Sequence, residues 1–178
     1  MARHKCFISY HKEDANEVND FISTFDHERN IFIARGIGEE MPGDIIDSNN
    51  PDYIMRRIRE LYLSSSTVTL IMLGQYTWAR KYVDWEIQSS LKNTSLSKPN
   101  GLLGIKLPSY TGEGYPDRLN LNLLQNNEQL DCYARVIDYP TRKDTLFNAI
   151  DDAFERRDTH KSWILNPRER FTYNRSCK

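Results

Sequence analysis

The stretch from Ser64 to Leu91 constrains the fold more than any other part of the chain. Residues 67–73 are β-branched or apolar and carry no charge. Bounded by serines on one side and Gly74 on the other, this run reads as a strand buried on both faces, as in a parallel sheet. Gly74 and Gln75 supply a turn, and a helix is expected from about Tyr76. At ~100° per residue, Ala79, Val83, Ile87 and Leu91 share one apolar stripe, and Trp78, Tyr82 and Trp85 form a second, aromatic face. Glu86 falls between the two, so it is expected to be neither fully buried nor freely solvated. A carboxyl wedged there is a candidate for a raised pKa and a chemical role. The plainer alternative is a partly exposed Glu86 paired with Arg80 or Lys81.

The rest of the chain supplies the partners such a strand needs. Residues 5–10 form a first short strand, followed by a helix from Asp14 to His27 with Val18, Phe21, Ile22 and Phe25 at helical spacing and Asp14 as N-cap. Residues 31–34 are a second strand. The polar segment 35–50 is too long for an ordinary connection and reads as functional or mobile. Asn50 and Pro51 open a helix that turns Ile54, Ile58, Leu61 and Tyr62 inward. Residues 101–107 and 135–139 are further strands, 108–131 is loop-like, and 143–157 is a last helix. The tail containing Trp163, Ile164 and Leu165 has no clear period.

Strands alternating with helices imply an α/β fold with helices on both faces of a parallel sheet. For five strands the flavodoxin-like order 2-1-3-4-5 is expected, with ligands bound beyond the carboxyl ends of the first and third strands. Tyr10, His11 and Asp14 would line one side of that crevice, and Gly74, Gln75, Tyr76 and Trp78 the other.

Composition and motifs remove several function classes. A net charge of −1 gives no reason to expect nucleic acid or an anionic membrane as partner. No apolar run approaches the ~20 residues of a membrane helix, and the N-terminus lacks a signal-peptide pattern. Three scattered cysteines suit a reducing cytoplasm, with Cys6 a small core residue. The four histidines show no metal-ligand spacing, so no metal is expected. The third strand ends without the aspartate of a phosphate-accepting receiver, no G-x-G-x-x-G follows the first strand, and no G-x-S-x-G elbow exists. What remains is one carboxylate among aromatics. That suffices for a cationic transition state, such as the oxocarbenium-like ribose formed when nicotinamide leaves NAD.

The residues also resemble a family. Phe7, Ile8, Ser9, Tyr10 and Asp14 resemble the first-strand box of Toll/interleukin-1 receptor (TIR) domains. Tyr82 to Glu86 is similar to the W-x-x-x-E helix motif of TIR domains that cleave NAD, with Tyr82 where many relatives have Trp. The segment 35–50 stands where the family's BB loop lies. More specifically, the chain resembles the bacterial TIR-like group of Thoeris antiphage defence. The resemblance implies one TIR-like domain over 1–158; the tail, 159–178, lies outside it and is expected to pack on the same domain. The resemblance also implies a cytoplasmic NAD-consuming enzyme that makes a cyclic ADP-ribose isomer, a diffusible messenger for a partner effector protein. NAD is then substrate and no cofactor is needed. The catalytic role passes to Glu86, and substrate contact to Phe7, Ser9, Tyr10, His11, Asp14, Trp78, Tyr82 and Trp85. A homo-oligomer is compatible with it. Two alternatives stay open: a non-catalytic TIR scaffold, and a nucleoside N-ribosyl transferase.

Overall fold

The computed structural model describes residues 3–28, 30–37, 47–112, 114–123, 132–167, 169 and 171–175. Five strands, β1 (Lys5–Ser9), β2 (Ile33–Ile37), β3 (Val68–Leu73), β4 (Gly101–Lys106) and β5 (Arg135–Ile137), form one parallel sheet in the order β2-β1-β3-β4-β5. The α-helices among the described residues are α1 (Ala15–Ile22), α2 (Pro51–Ile58), α3 (Lys81–Ser90), α4 (Asp117–Leu121) and α5 (Lys143–Thr159). This is the α/β, flavodoxin-like architecture, in the order 2-1-3-4-5, expected from the alternation of strands and helices. Every residue of β3 is buried, which explains its uninterrupted apolar run.

Strand alternation sends successive side chains to opposite faces, and each face has its own helices. Cys6, Ile8, Leu70, Met72, Leu103 and Ile105 pack with Val18 and Phe21 of α1 and Leu146 and Ile150 of α5. Phe7 faces the other way, against Ile54 and Ile58 of α2 and Trp85 of α3. Ile71, Leu73 and Leu102 share that second face with Val83, Ile87 and Leu91. Ser9 has the parity of Phe7, so the last residue of β1 looks toward α3.

Several local expectations are corrected. Asp14 precedes α1 but makes no side-chain cap. The helix after Pro51 continues through a π-helical turn, Arg59–Leu63. A π turn holds an extra residue, so the inward position moves on: Leu61 is exposed, Tyr62 half-buried, and Leu63 fills the core. The expected loop 108–131 contains α4, which carries the buried Arg118. Most of the acidic 35–50 segment (38–46), and Cys177, lie outside the described residues. No described helix is long and apolar enough to cross a membrane.

Helix α5 crosses β4 at contact distance because Gly101 has no side chain. A Cβ there would run into the carbonyl of Ala153. Gly101→Ala should therefore lower stability by about 1–3 kcal/mol, as overpacking against backbone does. Urea unfolding measures it, and an unchanged midpoint would show that α5 is not held that closely.

Candidate active site around Glu86

The segment after β3 forms a short 3-10 turn, Thr77–Ala79, before α3 begins at Lys81. Arg80 between them is extended, at φ −96° and ψ 122°. The single helix expected from Tyr76 is thus two pieces, and Trp78 does not share a helical face with Tyr82 and Trp85. Val83 to Ser90 are all buried, so α3 is covered on every side.

Glu86 is only 2% exposed. That corrects the expectation of a half-solvated carboxyl. Among the described residues it pairs with neither Arg80 nor Lys81. Its partner is Ser9, whose hydroxyl donates to Glu86 Oε2 at 2.5 Å. Removal from water disfavours the charged form and pushes the carboxyl up to about 8, although the Ser9 hydrogen bond pulls the other way. The same sheet face supplies a polar seam one turn further on. Ser90 Oγ donates to the Glu86 carbonyl at 2.8 Å and meets Thr69 Oγ1 at 2.7 Å.

A second buried acid lies where β1 and β3 end. Thr77 Oγ1 donates to Asp14 Oδ2 at 3.2 Å and accepts from the Gly74 amide at 2.9 Å. A Cβ on Gly74 would collide with the Asp14 carboxyl, so any side chain there would displace that acid from its place. Burial raises Asp14 to about 6, against the lowering effect of the Thr77 hydrogen bond, with Glu17 and Glu13 adding to the rise. His11 is half-buried, with Nε2 3.7 Å from Glu13 Oε2. Burial lowers its pKa first and the Arg80 charge second.

The aromatic residues have separate placements. Phe7 is fully buried and lies 5.9 Å from the Tyr62 ring. Trp85 packs with it and is 5% exposed, while its Nε1 donates to the Phe171 carbonyl at 2.9 Å. Tyr82 is half-buried, edge-on to Trp85 at 5.5 Å, with the Lys81 ammonium 4.9 Å from its ring centre. Tyr10 lies in the opposite core with Val18 and Phe21, because alternation turns it away from Ser9. Trp78 is half-buried, and its Nε1 is enclosed without a hydrogen-bond partner among the described residues. Of the residues chosen from sequence, Ser9 is the one that hydrogen-bonds the Glu86 carboxyl among the described residues. Asp14 stands at the switch point, and Tyr10 is on the far side of the sheet. Thr77 was overlooked, although a threonine just past the strand-ending Gly74 is a plausible turn partner.

Because the folded-state pKa of Glu86 is raised from 4.5 to about 8, the fold favours its protonated form. The stability it contributes is fully present below the ordinary carboxylate range and is lost as pH rises through about 8. The unfolding free energy of wild type relative to Glu86→Gln should therefore fall across that window and level off above it. Urea titrations over the same range test this, and a pH-independent difference would mean the carboxyl is not buried in solution.

No curated protein is matched by the chain. Residues 7–111 match the family described as Thoeris protein ThsB, TIR-like domain. That span is more than half of the chain and holds both the Ser9 strand end and the Glu86 helix, and the chain belongs to this family.

Proposed function

We propose that this Thoeris TIR protein, a defence protein by family, consumes NAD and that Glu86 is the group that meets the reacting ribose. The observation that carries the proposal is the Ser9–Glu86 pair. It is a carboxyl taken out of water at the carboxyl end of β1, beside the crevice where an open parallel sheet binds ligands.

In this reading the nicotinamide ribose displaces the Ser9 contact and offers its hydroxyls to Glu86. Fresh hydrogen-bond donors favour the ionised carboxylate, so substrate binding itself brings Glu86 toward its charged form. The bond between ribose C1′ and the nicotinamide nitrogen then breaks, its electron pair leaving with nicotinamide, which becomes neutral. The positive charge left on the ribose is stabilised by the carboxylate in surroundings that exclude water. An oxygen nucleophile closes the step by bonding to C1′ and releasing its proton. A hydroxyl of the same molecule's adenosine ribose gives a cyclic ADP-ribose isomer, and water gives the linear product. In the cyclic case the product is a diffusible messenger for a partner effector. NAD is substrate throughout, and the chemistry calls for no metal or cofactor.

A second reading has one observation in its favour. Glu86 is 2% exposed and already hydrogen-bonded within the fold to Ser9. A non-catalytic scaffold would keep such a carboxyl buried permanently. An enzyme must open, through binding or assembly, for a dinucleotide to reach it.

Product analysis by mass after incubation with NAD separates the readings. Wild type should release nicotinamide, and Glu86→Gln should do so at least ~10²-fold more slowly while remaining folded. Retained turnover in folded Glu86→Gln would remove the catalytic assignment. Absence of turnover in cells under phage challenge, with wild type expressed, would favour the scaffold.

A further inference from the structure

Helix α3 reaches the sheet through Glu86 on its inner side and meets the C-terminal residues on its outer side. Asn166, Pro167, Phe171, Asn174 and Arg175 make a succession of contacts from the 3-10 turn to Gln88. The Arg175 amide donates to the Ala79 carbonyl at 2.9 Å. The Lys81 amide donates to Asn174 Oδ1 at 3.0 Å. The Phe171 amide donates to Asp84 Oδ2 at 3.1 Å, and its carbonyl receives the Trp85 indole. Gln88 Nε2 donates to the Pro167 carbonyl at 3.1 Å, and Asn166 Nδ2 to the Gln88 carbonyl at 3.0 Å. These attachments bracket Glu86 on both sides along the helix.

One side chain gathers the strap. Arg118, 3% exposed, donates through Nε to Asp84 Oδ1 at 2.9 Å. Its Nη1 donates to Asn166 Oδ1 at 2.9 Å and to the Pro167 carbonyl at 2.8 Å. Its Nη2 donates to the Glu169 carbonyl at 2.6 Å and, more loosely, to Asp84 Oδ2 at 3.4 Å. The guanidinium fork thus ties the helix and three strap residues together, an arrangement that a lysine's single ammonium cannot reproduce. Helix α3 has no side-chain cap from Arg80, its own N-cap residue; the first amide is satisfied by Asn174, which lies far away in sequence.

We propose that Arg118 is a positioning residue, clamping these C-terminal residues across α3 so that the helix holds the Glu86 carboxyl at the end of β1. Among the described residues, the polar partners of Arg118 are Asp84 and the strap, not Glu86 or Ser9. It acts through Asp84 and the strap. The strap closes the side of the helix opposite the sheet, so the helix cannot roll without breaking several bonds to it. This rests on the reading of Glu86 as the group that meets substrate. The strap itself stands independently of that reading.

The test compares full-length wild type, Arg118→Lys and Asn174→Ala by NAD turnover, thermal unfolding and amide hydrogen exchange. Arg118→Lys keeps the charge opposite Asp84 but loses the fork. It should keep most of the thermal stability, while kcat falls by about 10-fold to 100-fold with KM little changed, as small misplacements of reacting groups do. Asn174→Ala removes one exposed contact, so it should fold normally. Amide exchange over 81–84 should rise about tenfold or more, β3 should be unaffected, and kcat should show a smaller loss. A lysine that restores both stability and kcat would overturn the proposal, since Arg118 would then only stabilise the fold. Unchanged exchange over 81–84 in Asn174→Ala would overturn it too. So would turnover that rises in either variant, which would make the strap a lid. If wild type consumes no NAD, the function proposed above fails, and the exchange result alone decides whether the clamp holds α3.

Discussion

A carboxyl taken almost completely out of water, with one hydroxyl for company, is the constraint on which the rest of the site depends. Glu86 reaches Ser9 because β1 and α3 pack on the same face, and strand parity turns Phe7 and Ser9 toward that helix. Burial of an ionised carboxylate with a single neutral donor is unfavourable, so the closed site favours the protonated acid. The same imbalance makes the group responsive. Any ligand that brings new donors to it gains more there than it would at a solvated carboxylate.

The helix that carries Glu86 is unusual in being buried on every side while rich in polar residues. Val83, Trp85 and Ile87 alternate with Asp84, Glu86 and Gln88, and Ser89 and Ser90 follow. Each polar side chain finds a specific partner: Asp84 takes Arg118 and the Phe171 amide, Gln88 the Pro167 carbonyl, Ser89 the Met55 sulfur, and Ser90 the Glu86 carbonyl. Breaking a buried pair such as Asp84–Arg118 strands a charge, which is strongly unfavourable. The helix is thereby held in one rotational setting, and the acid in one place.

The sheet was legible from the chain alone because its signals are local. The charge-free run 67–73 can only be an inner strand, and alternation with helices leaves few topologies. Glu86 stood out for a similar reason, as a carboxylate inside an apolar and aromatic pattern. Its full burial did not, because the periodicity of one helix says nothing about what covers its outer face. That cover comes from Phe171 and Pro167, on a tail with no readable period. Arg118 was hidden in a Gly-, Pro- and Asn-rich stretch, where a five-residue helix leaves too short a pattern to detect. Leu61 was misplaced because a π turn shifts the inward positions without any sign in the sequence. Tyr10 was assigned to the crevice because it stands at the carboxyl end of the first strand, whereas strand parity sends it to the face opposite Ser9.

The most direct measurement is a crystal structure of the protein with an NAD analogue whose ribose–nicotinamide linkage cannot be cleaved. The account predicts the nicotinamide ribose at the end of β1, with its hydroxyls within about 2.6–3.2 Å of the Glu86 carboxyl and Ser9 displaced from it. An analogue bound elsewhere, with Ser9 and Glu86 still closed on each other, would contradict it.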